Sequence, residues 1–383
     1  MVNYLGTINE EIKEYFKILS PEFPLWLLDY INTPEMQRIA GTSMSCGTNY
    51  TKVFNIKYFY SNLDHSVGVA LIIWNFTHDK KQTLAGLFHD IATPAFKHCI
   101  DVMNGDVKYQ ESTEIRTEQI IRNSSEITKL LTKDGIRIEE VCNCEIYPIV
   151  DNPTPRVCAD RFEYNFSNGL IFHRVWELDD IREVYNNVVI LKNEDGIEEL
   201  GFKDITICEK YVHIVSKLWP YWINDEDRAV MQFWADMVKS MNIKGYLTID
   251  DLYTLSEQEI IKKILNCEDT YLKDIFIKFQ NATTIYRGDV PEDNKYCISL
   301  NGKKRYVIPL TKFDNKVYRI NEISKLAKQD IAEYFNFKES KYTGFEFDFK
   351  PYKKWVKTLY CYKYKVFYDY NNLCKICLKK EKC

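Results

Sequence analysis

The sequence predicts a mostly helical protein with a smaller α+β region at its C-terminal end, and three observations carry that prediction. Apolar residues recur at helical spacing through the first two thirds of the 383 residues. Two segments, Asp64 to Trp74 and Thr83 to Phe88, are apolar enough to be buried helices. After about residue 280 the pattern changes to short alternating stretches parted by turn residues such as Asn301-Gly302.

Taken in order, helices are expected over Ile8 to Leu19, from Asp64-His65 through Trp74, over Thr83 to Phe88, and over Glu111 to Leu131. Further helices are expected over Ile171 to Asn187, Ile205 to Lys217, Asp225 to Met241 and Glu257 to Leu265, with Pro and Gly marking the loops. Glu111-Ser112-Thr113-Glu114 resembles an N-cap, which would put Glu114 on a first helical turn. Strands are expected at Lys295 to Leu300, Arg305 to Leu310 and Gly344 to Phe349. The organisation that follows is a core over 1–225, a helical extension of it over 226–290, and an α+β region over 291–383.

Composition sets limits. At 45% hydrophobic residues and a net charge of -4, the chain can bury a large core and is not a general nucleic-acid binder by charge. No apolar run reaches the roughly 18 residues of a membrane span, and Met1-Val2-Asn3-Tyr4-Leu5-Gly6 shows no signal-peptide pattern, so the expected location is cytoplasmic. The 12 cysteines are scattered, many in apolar settings such as Cys99, Cys158 and Cys208, as reduced thiols would be. Cys361, Cys374, Cys377 and Cys383 in the tail have one two-residue spacing of the kind a structural zinc uses, but the other gaps are irregular.

Chemistry concentrates at His65, at the adjacent pair His89-Asp90, and at Asp160. Asp160 stands beside Val157, Cys158 and Ala159, a costly place for a carboxylate that is neither paired nor metal-bound. Imidazole nitrogens with carboxylate oxygens form a borderline-to-hard ligand set suited to Mn, Fe, Mg or Zn, with positions left open for water. A single histidine would more often be a core residue. Four such residues in this order make the histidine-aspartate, or HD, signature of a divalent-metal site.

The surrounding segments resemble the deoxynucleoside triphosphate triphosphohydrolases. That family includes bacterial deoxyguanosine triphosphatases and the vertebrate enzyme with a sterile-alpha-motif and HD domain; the likeness here is to the HD core and not to the sterile-alpha-motif domain. Pro24 to Ile39 and Asp64-His65-Ser66-Val67-Gly68-Val69 are similar to the entry to its catalytic core. Leu87-Phe88-His89-Asp90-Ile91 with Pro94-Ala95-Phe96-Lys97-His98 is similar to its metal and catalytic-histidine segment, and Cys158 to Tyr164 to the segment of its last metal ligand. Thr254 to Ile261 and Lys303 to Leu310 also look like family segments, so the resemblance spans roughly residues 20 to 330.

The resemblance implies an HD-domain helical core whose His65, His89, Asp90 and Asp160 hold the metal, with His98 and Glu114 as acid/base residues. It implies Arg161 as a phosphate contact and Tyr164 beside the sugar; three residues apart on a helix, these two share a face. Departures bear on the substrate. Asn62 stands where the family usually has an arginine, Thr93 and Thr113 where it has histidines, and its glutamine is not evident around Met44-Ser45-Cys46-Gly47.

The expected activity is metal-dependent hydrolysis of a deoxynucleoside triphosphate to deoxynucleoside and triphosphate. One alternative is a nucleotide phosphomonoesterase or phosphodiesterase, suggested by Asn62, Thr93 and Thr113; another is a nucleotide sensor that keeps the metal and has lost turnover. A homo-oligomer is expected from the resemblance. Tyr352, Trp355, Tyr360, Tyr362 and Tyr364 among the lysines of 350–382 raise single-stranded nucleic acid as a further partner, against a solvated lysine face or a subunit contact.

Overall fold

The computed structural model describes residues 4–352 and, beyond them, the backbone of two strands, Thr358–Cys361 and Val366–Asp369. The architecture is mostly helical with small sheets. Its main helices are α1 (Glu10–Leu19), α2 (Asn62–Thr77), α3 (Lys80–Phe88), α4 (His98–Asn104), α5 (Thr117–Asn123), α6 (Ser125–Lys133) and α7 (Ala159–Ile171). They continue with α8 (Leu178–Asn186), α9 (Ile205–Val215), α10 (Asp225–Ile243), α11 (Glu257–Asn266), α12 (Thr270–Asn281) and α13 (Lys325–Asn336).

Helix α2 is buried on every side from Asn62 to Ile73, as the apolar run from Val67 to Ile73 requires. Its start is set by a capping box. Ser61 Oγ accepts from Asp64 N at 3.0 Å, Asp64 accepts from Ser61 N at 3.2 Å, and the hydroxyl of Tyr4 donates to Asp64 at 2.7 Å. Helices α1, α3 and α7 pack against α2. Gly86 of α3 permits the closest of these approaches, since a Cβ there would stand 2.1 Å from Ile73 Cδ1. A second apolar cluster centres on α10, where Phe96 stacks on Trp234 at 3.8 Å and Phe233 on Phe279 at 3.9 Å.

Four strands, β1 (Val188–Lys192), β2 (Glu198–Phe202), β5 (Leu310–Phe313) and β6 (Lys316–Arg319), form one sheet in that order, with β2 parallel to β5. A three-stranded sheet has the order β3 (Ile285–Gly288), β7 (Tyr342–Phe345), β4 (Tyr296–Ile298), and β8 (Thr358–Cys361) pairs antiparallel with β9 (Val366–Asp369).

Several expected elements are corrected. The helix expected over Glu111 to Leu131 is three pieces: a 3-10 turn at Glu114–Arg116, then α5, then α6. The break has a local cause, because Ser124 caps α6 by accepting from Ile127 N at 3.1 Å. The helix expected over Ile171 to Asn187 begins only at Leu178, since α7 ends at Ile171 and the chain turns through Arg174 at a φ of 53° to bury Trp176. The strand expected at Arg305 to Leu310 enters the sheet at Leu310; Pro309 has no N–H to donate, and Ile308 N bonds to Pro155 O at 2.8 Å instead. The β1–β2 hairpin was not expected, although Asp195-Gly196 between Val188-Val189-Ile190 and Leu200-Gly201-Phe202 is a turn signal. Among the described residues no helix is long and apolar enough to cross a membrane.

Candidate metal centre

Three helix ends bring the site together. His65 lies in the first turns of α2, His89 caps the C-terminus of α3, and Asp160 lies in the first turn of α7, beyond the N-cap Cys158. His65 Nε2 stands 3.2 Å from His89 Nε2 and 3.2 Å from Asp160 Oδ1, and His89 Nε2 is 3.6 Å from Asp160 Oδ1. Bonds of about 2.1 Å at angles between tetrahedral and square place ligand atoms about 3.0–3.4 Å apart, so this spacing suits one ion.

The hydrogen bonding makes the same point. His65 Nδ1 is bonded to Glu163 Oε2, and His89 Nδ1 to Gly86 O at 2.7 Å. With both Nδ1 atoms donating, both Nε2 lone pairs face each other and a carboxylate, an arrangement that only a cation or a proton satisfies. Burial opposes a charge on His65, yet Glu163 and Asp160 push its pKa up to about 9. Burial also opposes charge on Asp160, and hydrogen bonds from His65 and His89 nevertheless hold its carboxyl well below the usual range.

Glu163, absent from the expected site residues, organises the far side of His65. It is fully buried and also accepts from Tyr60 OH at 2.6 Å, Tyr15 OH at 3.3 Å and Ser167 Oγ at 3.1 Å. Its place three residues after Asp160 is a helical spacing, and two of its partners come from sequence more than 100 residues away. Gly68 leaves the room for it, since a Cβ there would meet Glu163 Cγ and Oε1 at 2.8 Å. Gly68→Ala is therefore expected to cost about 1–3 kcal/mol of stability and to weaken metal binding by displacing Glu163; thermal unfolding with and without Mn checks both.

Asp90 is set slightly back. Its Oδ2 lies 3.8 Å from each of the two Nε2 atoms and takes a hydrogen bond from Lys97 Nζ at 2.9 Å. Despite burial, the charges of Lys97, His89 and His65 hold its carboxyl well below the usual range. Asn62 lies behind it, wholly buried, with Oδ1 bonded to Lys97 Nζ and Nδ2 donating to Asp90 O at 3.4 Å, so its amide faces these groups and not a substrate space.

A narrow cleft beside the centre is lined by His89, Asp90, Thr93, His98, Thr113 and Glu114, with Lys97 at its wall. His98 Nδ1 is bonded to Asp101 Oδ2 at 3.0 Å. Burial, reinforced by the charge of Arg305, pushes the His98 imidazole down to about 4 in spite of Asp101. Glu114 stands exposed on the 3-10 turn at the rim; desolvation of its carboxyl on the cleft side, with Asp90 and Asp101 nearby, pushes it above the usual range.

Arg161 and Tyr164 follow Asp160 on α7. Arg161 donates from Nη1 to Asn152 Oδ1 at 2.9 Å and lies 3.4 Å from Asp151 Oδ1, pointing away from Glu163. Tyr164 meets Trp222 edge-on at 5.3 Å. Trp222 also borders a cavity of about 690 Å³ lined by Met44, Phe54, Tyr58, Asn168 and Asp227 among others. Asn168 Oδ1 is buried and makes no hydrogen bond with the described residues, and burial pushes the Asp227 carboxyl up to about 7 despite Arg305. Lys303, from the segment leading to β5, is half-buried, and desolvation with the charge of Arg305 lowers it to about 8.

Asp151, Cys158 and Asp160 form a second grouping of metal-type donors. The guanidinium of Arg161 already fills it, with Nη1 2.8 Å from Cys158 Sγ. Cys374, Cys377, Cys383 and the side chain of Cys361 lie outside the described residues, as do those of Trp355, Tyr360, Tyr362 and Tyr364.

No family model matches the chain. It is 21% identical over 320 residues to the uncharacterized protein YdhJ of Bacillus subtilis, covering 82% of this chain and 93% of that protein. It is 26% identical over 165 residues to the metal-dependent phosphohydrolase cns2 of Cordyceps militaris, covering 42% of this chain and 45% of that one, less than half of either. Two solved structures superpose with a TM-score of 0.52: a hypothetical protein from Aquifex aeolicus, 15% identical and covering 79% of this chain and 88% of its own, and a phosphohydrolase from Bacteroides thetaiotaomicron, 13% identical and covering 83% and 94%. At those identities the likeness establishes a shared fold.

Proposed function

We propose that the chain is an HD-type metal-dependent phosphohydrolase acting on a nucleotide, with a deoxynucleoside triphosphate as the leading substrate. The observation that carries this is the convergence of His65, His89 and Asp160, with Asp90 beside them, next to a cleft lined by Lys97, His98 and Glu114. The names of the Cordyceps militaris relative and the Bacteroides thetaiotaomicron structure support the reaction class. The 690 Å³ cavity supports the nucleotide, because aromatic walls suit a base while Asn168 and Asp227 offer polar groups to a nucleoside.

His65, His89, Asp160 and Asp90 would hold a divalent ion, which when bound would supply Lewis-acid charge and lower the pKa of water toward neutrality. The chain's own residues do the rest. His98 is neutral at neutral pH with Nδ1 turned to Asp101, which leaves Nε2 as a proton acceptor toward the cleft. Glu114, whose carboxyl keeps its proton to higher pH, is the group able to donate to the leaving oxygen. Lys97 in the cleft, with Arg305 near His98 and Lys303 near Glu114, brings positive charge of the kind a polyphosphate requires. This divides the acid/base work that the resemblance gave jointly to His98 and Glu114, with proton donation at Glu114.

A pH consequence follows from these directions. Protonation of His98 removes its acceptor only as the pH falls through about 4. The profile of kcat/KM is therefore expected to show no histidine inflection near the ordinary value of 6.5. An inflection there that vanishes in His98→Gln would contradict the assignment.

One observation favours a second reading. The space among His89, Asp90, His98 and Glu114 is about 10 Å³, room for one water, which suits a single phosphate better than a chain of three. The test incubates Mn- and Mg-reconstituted protein with the four deoxynucleoside triphosphates, matched monophosphates and cyclic dinucleotides, and resolves the products. Deoxynucleoside plus intact triphosphate supports the leading reading. Phosphate from monophosphates, or ring opening, moves the assignment to the second, and no product from any of them overturns both.

A further inference from the structure

Among the described ion pairs of the metal-site carboxylate Asp90, the one with Lys97 is the shortest and the only one made by a lysine or arginine. It is 5% exposed, and its Nζ donates to Asp90 Oδ2 at 2.9 Å and to Asn62 Oδ1. Its third neighbour is Met44 Sδ at 3.1 Å, a weak acceptor for an ammonium N–H. Two of its three donors are well satisfied and one is not.

Position gives that third donor a use. Lys97 lines the cleft that holds His98 and Glu114, while Met44 lines the 690 Å³ cavity, so the ammonium stands where the two spaces meet. A phosphate ester with its organic part in the cavity and its phosphorus at the metal centre passes this point. Asn62, one turn before His65, cannot offer charge there, and the lysine ammonium bonded to its amide can.

The backbone is arranged for this placement. Phe96 and Lys97 have φ values of 65° and 46°, in the left-handed region that non-glycine residues rarely occupy. The strain is held by buried anchors. Ala95 N bonds to Leu252 O at 2.8 Å, Phe96 N to Glu257 Oε1 at 3.1 Å, and the ring of Phe96 stacks on Trp234. Glu257 also takes Ser43 N at 3.1 Å and Tyr50 OH at 2.7 Å, tying the Met44 loop to the same carboxylate.

We propose that Lys97 is the anion-recognising residue of this site, turning the N–H that faces the weak acceptor Met44 Sδ to a phosphoryl oxygen and so supplying the charge that Asn62 does not. The inference rests on the phosphohydrolase reading, and the experiment separates the two. Inorganic phosphate is titrated calorimetrically into Mn-loaded full-length protein, with metal content measured for each variant. Lys97→Met is expected to weaken phosphate binding about ten- to a hundredfold at saturating Mn, while Lys97→Arg stays within a few-fold of the parent. Asn62→Arg combined with Lys97→Ser is expected to recover binding lost in Lys97→Ser alone, which a misfolded variant cannot do. If Lys97→Met binds phosphate as the parent does, Lys97 serves only as the counter-charge of Asp90, and this inference fails while the phosphohydrolase reading stands. If the Mn-loaded parent binds no phosphate, both fail.

Discussion

Asp160→Ala is expected to lower turnover at least about a thousandfold, a loss of about 4 kcal/mol of transition-state stabilisation, while leaving the helical fold in place. Asp160 supplies the oxygen that stands 3.2 Å from His65 Nε2 and 3.6 Å from His89 Nε2, so its removal leaves two imidazoles and a more distant Asp90. Two nitrogens do not hold a divalent ion against water with useful affinity. The fold is spared because Asp160 lies in the first turn of α7, whose buried positions are Ala159, Phe162, Glu163 and the residues after them. Metal content, far-ultraviolet circular dichroism and activity on the identified substrate check the three parts. Full activity in this variant would sink the metal assignment.

Glu163→Gln is expected to weaken metal binding about ten- to a hundredfold, with the stability changed much less than by Glu163→Ala. The carboxylate accepts from His65 Nδ1, Tyr60, Tyr15 and Ser167. A glutamine keeps the shape and one acceptor oxygen, but it turns an N–H₂ group toward a second donor. His65 relieves that clash by moving its hydrogen to Nε2, which removes the lone pair a metal needs. Glu163→Ala removes every acceptor at once and strands buried hydroxyls, at a cost of about 3 kcal/mol or more. Thermal unfolding measured with and without Mn distinguishes the variants: the glutamine protein loses its metal-dependent shift, whereas the alanine protein is already weaker without metal. An unchanged Mn affinity in Glu163→Gln would remove Glu163 from the site.

Most helices were legible because apolar periodicity is local, and burial is written in the apolar runs Val67 to Ile73 of α2 and Leu84 to Phe88 of α3. His65, His89 and Asp160, which the structure brings together, were legible as a set because two histidines and a carboxylate in apolar surroundings need a partner or an ion. The β1–β2 hairpin was also within reach, through Asp195-Gly196. The breaks at Ser124 and after Ile171 were harder, because helical spacing continues across both and only capping and the burial of Trp176 decide them.

What the sequence by itself determined is a helical protein carrying a His, His-Asp, Asp set at helix ends, because periodicity and residue chemistry act over a few residues. What only the tertiary structure decided is which groups meet across long separations. Glu163 orients His65 from 98 residues away, Lys97 reaches Asn62 across 35, and Arg305 lowers the His98 imidazole from another element of the chain. Surroundings that no local pattern reveals shift the two groups in opposite directions for proton binding, the His98 imidazole down and the Glu114 carboxyl up. Electrostatic coupling and desolvation depend on distance in space and on what surrounds a group, and neither is encoded in any one segment.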